Sequence, residues 1–197
     1  MSTTEQNQAP LPGVLQRIGL EHRNMAKLLD LLERHVAVFE AGGETDYELL
    51  ETLVDYFRRF PDACHHPKED LIFARLAERN AAAATAVGDL PGEHEGLAEK
   101  TAVLASVIDS ILKELAVPRQ DFERAAHDFI ETQRAHMRME VERFFPAALA
   151  ALDAEDWAEI DSRIDDPEDP VFGTGREERF EDLRAQILEW DETQPEA

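Results

Sequence analysis

Four stretches of the chain carry apolar residues at alternating intervals of three and four, which places these residues on one face of an α-helix. The stretches cover residues 14–41, 45–76, 92–118 and 120–151. Glycines follow the first stretch and a proline closes the third, as is usual at helix ends. Apolar stripes on four consecutive helices joined by short turns predict an all-α, up-down-up-down four-helix bundle.

The predicted second helix contains an irregular region. Pro61 and Pro67 each remove a backbone donor, so we expect a kink or a local break there. Either Thr45 or Asp46 is expected to cap the N-terminus of this helix. Residues 77–91 show only weak periodicity and are predicted to form a linker that a proline–glycine turn closes.

The two ends of the chain differ in character from the bundle, which is predicted to cover residues 13–152. Residues 1–12 are polar and contain two prolines, which predicts a flexible N-terminal tail. Residues 153–197 are predicted to form an acidic C-terminal helical extension with a short C-terminal amphipathic helix around residues 180–190. The extension either docks on the bundle or offers a surface to a second copy of the chain, as a homodimer, or to a protein partner, since exposed tryptophans such as Trp190 often mark contacts.

The composition supports a folded chain and limits its partners. Hydrophobic residues make up 43% of the 197 residues, which is enough for a core. The formal net charge is −23, and a surface of this sign repels nucleic acid and anionic membranes. A single cysteine, Cys64, fits a reducing compartment, and the N-terminus shows no secretory signal. No apolar run approaches the ~20 residues of a membrane span. These features predict a cytoplasmic protein.

Every predicted helix carries a histidine on its apolar stripe, and two helices add a glutamate four residues later. These residues are His22, His65 with Glu69, His94, and His136 with Glu140. Ionisable side chains directed into one apolar core are costly when they have no partner. Neutral imidazoles and carboxylates are ligands of divalent metals, and a shared metal centre removes that cost. The pattern therefore predicts a metal site inside the bundle.

The ligand set favours two metal ions over one. Four nitrogens and two carboxylates from four helices suit a pair of ions that both carboxylates bridge, with an oxide or hydroxide as a further bridge. The remaining open positions suit oxygen, nitric oxide, peroxide or water. Ferritin-like di-iron sites have the inverse balance, with more carboxylates than histidines. Imidazole-rich ligation favours non-haem iron over manganese, with zinc as the other candidate.

Three short segments, taken together with His22, resemble a known family. They read HHPKED at 65–70, EHE at 93–95 and HMRMEVERFFP at 136–146. The pattern is similar to the hemerythrin-like domain of the His-His-Glu cation-binding group over roughly residues 14–150. The resemblance implies a four-helix bundle with a carboxylate-bridged di-iron centre. By position it implies the iron ligands His22, His65, Glu69, His94, His136 and Glu140, with the two glutamates as bridges.

One position departs from the pattern of the oxygen-carrying members of that family. Those members have two histidines four residues apart on the third helix, whereas His94 has Leu90 and Ala98 at that spacing. His66 is either a substitute metal ligand or a histidine beside the ligands, and both interpretations stay open. The missing histidine disfavours reversible oxygen carriage and favours sensing or handling of oxygen, nitric oxide or iron.

Three functions are compatible with such a site. The first, which we favour, is a non-catalytic metal-binding protein with a diatomic ligand, so no catalytic residue is predicted. The second is a di-iron enzyme with peroxidase, nitric oxide-reducing or iron–sulfur repair activity. Repair proteins of the family usually have an N-terminal cysteine, which the N-terminal tail lacks. The third is a module with a structural zinc. His35 and the His127–Asp128 pair are expected to lie outside the site.

Overall fold

The computed structural model describes residues 10–164, 168–175 and 177–193, with side chains up to residue 189. Most of the predicted N-terminal tail lies outside the described residues, as does the side chain of Trp190. No strand occurs within these ranges, and none of their helices has the length and apolarity needed to cross a bilayer. The α-helices are α1 (Gly13–Glu40), α2 (Tyr47–Phe60), α3 (His66–Arg79), α4 (Ala81–Val87), α5 (Leu90–Leu112), α6 (Arg119–Met139), α7 (Phe145–Ala151), α8 (Ala154–Arg163) and α9 (Glu181–Thr193).

The four predicted long helices are all present in this arrangement. The first is α1, the second is α2 followed by α3, the third is α5, and the fourth is α6 followed by α7. Helix α5 contacts α2 and α6, and α1 contacts α6 and α2, so the contacts run around a ring of four. This pattern is consistent with a four-helix bundle.

The second and fourth bundle helices each contain one π-helical turn. The turns span Pro61–His65, between α2 and α3, and Glu140–Phe144, between α6 and α7. A π-helical turn contains more residues than an α-helical turn, which changes the face that the following residues present. The irregularity expected near Pro61 is therefore a wide turn through which the helix continues, and Pro67 lies in the first turn of α3.

The segment predicted to be a linker is helical over much of its length. Residues 81–87 form α4, and the side chain of Asn80 caps it by accepting a backbone hydrogen bond of 3.1 Å. Pro91 lies in the first turn of α5, which Asp89 caps in the same way. The predicted proline–glycine turn is thus wrong, because proline is well suited to the first turn of a helix. Of the two candidate caps of α2, Asp46 is the one used.

The buried apolar residues form two clusters with a polar layer between them. Four residues represent each cluster: Met25, Phe57, Leu104 and Phe129 in the first, and Ile18, Ile72, Leu90 and Phe144 in the second. On α1, His22 lies between Ile18 of the second cluster and Met25 of the first. On the other three helices, Glu69, His94 and Glu140 likewise lie in sequence between a residue of one cluster and a residue of the other. The apolar core therefore lies on both sides of the predicted metal centre.

The described part of the C-terminal extension docks on the bundle. Its buried apolar side chains join the first cluster through Phe180, Leu183 and Ile187. The Tyr56 hydroxyl donates a 2.9 Å hydrogen bond to Asp169 of the extension. Asp156 of α8 is fully buried and pairs with arginines of α3. A homodimer or partner surface on this extension stays a prediction.

Candidate metal centre

Seven buried side chains converge between the two apolar clusters. They come from all four bundle helices and comprise His22, His65, His66, Glu69, His94, His136 and Glu140. Each of them is at most 8% exposed. The structure therefore brings together all six residues suggested by the sequence pattern, and it adds His66, which the sequence left open.

The potential ligand atoms of these residues fall into two groups. We call them the His22 group, with His22, His65, Glu69 and Glu140, and the His94 group, with His66, Glu69, His94 and His136. Within each group, the atoms that the residues offer lie within 4.8 Å of one another. Because ligands on opposite sides of one ion are separated by roughly 4 Å, each group is compact enough to surround a single ion.

Both glutamates reach between the two groups. Glu69 Oε1 lies 3.5 Å from His22 Nε2, and its Oε2 lies 3.5 Å from His94 Nε2. Glu140 Oε2 lies 3.2 Å from His22 Nε2, and its Oε1 lies 3.0 Å from His136 Nε2 and 3.9 Å from His94 Nε2. Each carboxylate thus offers one oxygen to either side, which is the arrangement of a bridging ligand.

The polar atoms at the middle of the site make no hydrogen bonds within the described part of the chain. This holds for all four oxygens of Glu69 and Glu140 and for the Nε2 atoms of His66, His94 and His136. Both glutamates are fully buried. Buried polar groups almost always have a partner, and an unpartnered charge is costly. A cation between the oxygens and the imidazole nitrogens would supply that partner, so the residues fit a bound metal.

The family model of the hemerythrin HHE cation-binding domain matches residues 14–148, which include all seven converging residues. The chain belongs to this family. The resemblance drawn from the sequence motifs is therefore confirmed, and cation binding by the family agrees with the fit of the site to metal. No curated protein and no solved structure matches the chain.

Four of the five histidines that converge on the centre have a carboxylate next to the outer ring nitrogen, Nδ1. The pairs are His65 with Glu21 at 2.7 Å, His66 with Asp62 at 3.1 Å, His94 with Asp70 at 3.2 Å, and His136 with Glu93 at 2.9 Å. We call these acidic residues the outer carboxylates. A carboxylate in this position holds a proton on Nδ1 and directs the Nε2 lone pair toward a metal. The Nδ1 atoms of His22 and His94 are both buried and make no hydrogen bond among the described residues, although Asp70 lies beside that of His94. His22 differs in that the carboxylates it contacts lie beside its Nε2 atom.

A buried lysine supports one of the outer carboxylates of the HHE domain. Lys68 is 1% exposed and donates a hydrogen bond to Glu21 Oε1, while Glu21 Oε2 accepts from His65 Nδ1. The pair offsets the cost of burying each charge. Lys68 and the outer carboxylates were not predicted from the sequence. A usable signal was present, since an acidic residue adjoins His94 and another lies four residues before His66.

Burial and crowding set the protonation of the metal-free HHE site. Burial and the nearby Glu140 carboxylate raise the pKa of Glu69 well above its usual range. Burial also acts to raise the pKa of Glu140, but the close imidazoles, His136 foremost, lower it well below its usual range. Burial opposes charge on His94, yet the two glutamates raise its pKa to about 9. Burial lowers the pKa of His65 to about 4. The metal-free centre therefore holds protons that a cation displaces.

The residues that the sequence analysis placed outside the site do lie elsewhere in the HHE domain. His127 Nε2 lies 2.7 Å from Glu40 Oε1, and Asp128 forms a 2.5 Å ion pair with Lys100. His35 Nε2 lies 3.3 Å from a glutamine of α9. These contacts connect helices at the surface, so His35, His127 and Asp128 have partners and need no metal ion.

Proposed function

We propose that the chain is a non-haem di-iron protein that senses or handles oxygen, nitric oxide or iron without catalysing a reaction. The observation that carries this proposal is the position of Glu69 and Glu140 between two groups of imidazoles. Each glutamate turns one oxygen toward His22 and the other toward His94, at distances between 3.2 and 3.9 Å. Carboxylates shared in this way suit a pair of ions, as in two-metal sites generally.

The two ions would have unequal sets of protein ligands. His22 and His65 would hold one ion, and His66, His94 and His136 would hold the other. Each ion would also receive one oxygen from each of the two glutamates. The ion beside His22 and His65 would then have four protein donors and the other ion would have five, so we propose that a small external ligand binds on the His22 side.

The contribution of the protein itself is to orient the ligands and to exclude water. A pair of non-haem irons, when bound, supplies the electrons for oxygen and nitric oxide chemistry. Hydrogen bonds to the outer carboxylates hold the rings of His65, His66 and His136 in the orientation that metal binding requires, and Asp70 lies beside the ring of His94. The apolar clusters on either side, with Ile18 and Met25 flanking His22, keep bulk water from the centre.

The identity of the metal is part of the proposal. Five imidazoles and two carboxylates favour iron over manganese, which prefers oxygen ligands. Structural zinc is the competing candidate, and the four donors of the His22 group match its tetrahedral preference. Zinc would make the site a support for the fold and would leave it without a response to oxygen or nitric oxide.

The test is metal analysis combined with an optical spectrum of protein purified from iron-replete cells, with and without oxygen. We expect two irons per chain, the absorption of an oxo-bridged pair, and a spectral change when azide is added. Glu140→Gln should lose these signals, whereas Glu142→Gln, an exposed change two residues later, should keep them. Zinc in place of iron, or an iron spectrum that does not respond to azide, would contradict the proposal. Steady-state turnover of peroxide or nitric oxide would identify an enzyme instead.

A further inference from the structure

His22 has surroundings that differ from those of the other four histidines of the metal centre. Each of the others has an outer carboxylate within 3.2 Å of Nδ1. The carboxylates that His22 contacts lie beside Nε2, and its Nδ1 is buried with no hydrogen-bond partner in the described ranges. A histidine that directs Nε2 toward a cation carries its single proton on Nδ1. His22 therefore has a hydrogen-bond donor for which this chain provides no acceptor among the described residues.

An apolar pocket lies against His22. Its volume is about 430 Å³, and it opens between α1 and the region from the second π-helical turn into α7. The lining is formed chiefly by Leu15, Val141, Phe145 and Leu149, together with His22 itself. The Phe145 ring is stacked on the His22 ring with centroids 5.8 Å apart. A concave apolar site with few polar groups is typical of small-molecule binding.

The pocket also contains a positive charge. Arg23 contributes to its lining, next to His22 in the sequence. One guanidinium nitrogen of Arg23 lies 3.8 Å from the point where a Cβ on Gly19 would stand, and Gly19 is itself part of the lining. In a chain with a net charge of −23, a cation beside an apolar pocket makes that pocket locally suited to an anion.

We propose that this pocket binds an apolar monocarboxylate, such as a medium-chain fatty acid, and that the bound carboxylate pairs with His22. The hydrocarbon chain packs on Leu15 and Phe145, and the carboxylate accepts hydrogen bonds from His22 Nδ1 and from Arg23. The ligand then gives His22 the outer carboxylate that the chain gives to the other four histidines. Because such a partner increases the affinity of a histidine for metal, the ligand regulates the metal centre. Binding depends on the pocket alone, whereas the regulation rests on the proposed function.

The binding test uses metal-free protein and isothermal titration calorimetry with octanoate and octanol as probes. We expect octanoate to bind once per chain and octanol to bind at least tenfold more weakly, because only the acid can pair with Arg23 and His22. Arg23→Gln should lower the affinity for octanoate about tenfold and leave the affinity for octanol unchanged. In nitrogen-detected NMR, octanoate should shift the Nδ1 resonance of His22 and not that of His127, which lies outside the pocket.

A pair of glycine substitutions locates the binding site. Gly19→Leu places a side chain in the pocket, where the Arg23 guanidinium lies 3.8 Å from the new Cβ, and should abolish octanoate binding. Gly96→Leu is the control, because Gly96 also lies in a helix and is distant in sequence from the pocket. Beyond its chain neighbours and its own helix backbone, no atom of the described residues lies within 4 Å of a Cβ at Gly96. Equal circular dichroism of the two variants establishes that both fold. Equal octanoate affinity in the two variants, equal affinity for octanol and octanoate, or no binding at all would overturn the proposal.

The regulatory part has its own readout. Octanoate should slow the chelator-driven release of iron from the loaded protein by tenfold or more in the wild type and in Gly96→Leu, and it should have no effect in Gly19→Leu. If octanoate binds as expected but leaves iron release unchanged, the regulation is refuted and the pocket assignment stands. If the protein holds no iron, the proposed function fails while the calorimetric result on the metal-free protein remains valid.

Discussion

Glu69 and Glu140 present their carboxylates to the same two histidines. From His22 Nε2, the nearest oxygens of the two residues lie at 3.5 and 3.2 Å, and from His94 Nε2 they lie at 3.5 and 3.9 Å. Both side chains are fully buried. Adjacent buried carboxylates are unfavourable unless protons or cations lie near them. Each glutamate should therefore be required for both metal ions.

Glu69→Gln is expected to remove both metal ions and to leave the fold intact. Because burial and Glu140 raise the pKa of Glu69, a neutral amide resembles the protonated acid of the metal-free protein. The free energy of unfolding of the metal-free variant should therefore change by less than about 1 kcal/mol. Elemental analysis after iron loading should find less than one ion per chain, with Glu142→Gln as the exposed control. Retention of a full ion would mean that the two groups bind metal independently.

His66→Ala is expected to lower the affinity for one of the two proposed ions by about tenfold or more, which corresponds to ~1.4 kcal/mol of binding free energy. The Nε2 atom of His66 lies in the His94 group and has no hydrogen-bond partner in the described chain, so its loss removes a donor from that side. Competition with a chelator should show that one ion is bound more weakly and that the affinity for the other is nearly unchanged. His127→Ala, which changes a half-exposed histidine paired with Glu40, should leave both affinities as they are. Unchanged metal binding in His66→Ala would mean that His66 lies beside the metal ligands and is not one of them.

Lys68→Met is expected to destabilise the protein by about 3 to 5 kcal/mol, because it leaves the buried Glu21 carboxylate without its cation. The double variant Lys68→Met, Glu21→Gln should recover much of that loss, since no unpaired charge remains. Chemical denaturation of the four members of the cycle measures the coupling between the two residues. If the two single effects simply add, the contact between Lys68 and Glu21 does not contribute in the way described.

Metal affinity is expected to rise with pH between 7 and 9. The pKa of His94 is raised to about 9, so the metal-free protein holds a proton there at pH 7, and metal binding must displace it. Each displaced proton, from His94 and from any other protonated ligand such as Glu69, adds a tenfold gain in affinity per pH unit below its pKa. His65 is neutral already, because its pKa is about 4, and contributes no proton. Calorimetry in buffers of different ionisation enthalpy counts the released protons, and a flat affinity over this range would contradict the assignment.

The raised pKa of His94 makes the metal-free protein less stable as the pH rises, whereas metal affinity increases with pH. The folded-state pKa of His94 lies above its unfolded value of 6.5. Its contribution to stability is therefore complete below pH 6.5 and is lost as the pH rises through 9. Denaturation of the metal-free protein at several pH values checks this sign.

Tyr56→Phe is expected to cost about 1 to 3 kcal/mol, because it leaves Asp169 without the hydroxyl that donates to it across the docked extension. Limited proteolysis should then cut the extension faster at residues beyond the bundle. Tyr47→Phe is the control, since Tyr47 packs by its ring against Phe39 and Phe122. Equal cleavage rates in the two variants would mean that the Tyr56–Asp169 contact does not hold the extension in place.

Helical periodicity explains why most of the site was predictable from the sequence. Residues four apart share one face of a helix, so His136 and Glu140 had to point the same way once the stripe of α6 was recognised. The same rule gave His22 and His94 their inward positions. These predictions required only local geometry and the cost of burying unpaired ionisable groups.

His66 could not be assigned in that way. Consecutive residues on an α-helix point roughly 100° apart, so His65 and His66 should not both face one site. The π-helical turn that ends at His65 changes this relation and lets both rings face inward. The His66 ring is then stacked on His94, with centroids 3.9 Å apart and planes within 9°. Spacing rules for regular helices do not anticipate such a turn.

The outer carboxylates escaped prediction for a different reason. Glu21 and His65 are separated by 44 positions in the chain, and their contact depends on how two helices are rotated against each other. Alternating three-and-four spacing specifies which face of a helix is buried but leaves the fine rotation to packing. The pairing of Lys68 with Glu21 depends on the same rotation.

The division of the core by a polar layer has a consequence for the lifetime of the protein in a cell. Cations bound at this layer would tie four helices together and join the halves above and below into one cooperative folding unit. Without them the halves would be able to open separately, and open segments are what proteases cut. The supply of metal would then control how fast the chain is degraded, and therefore its abundance, in addition to its ligand binding.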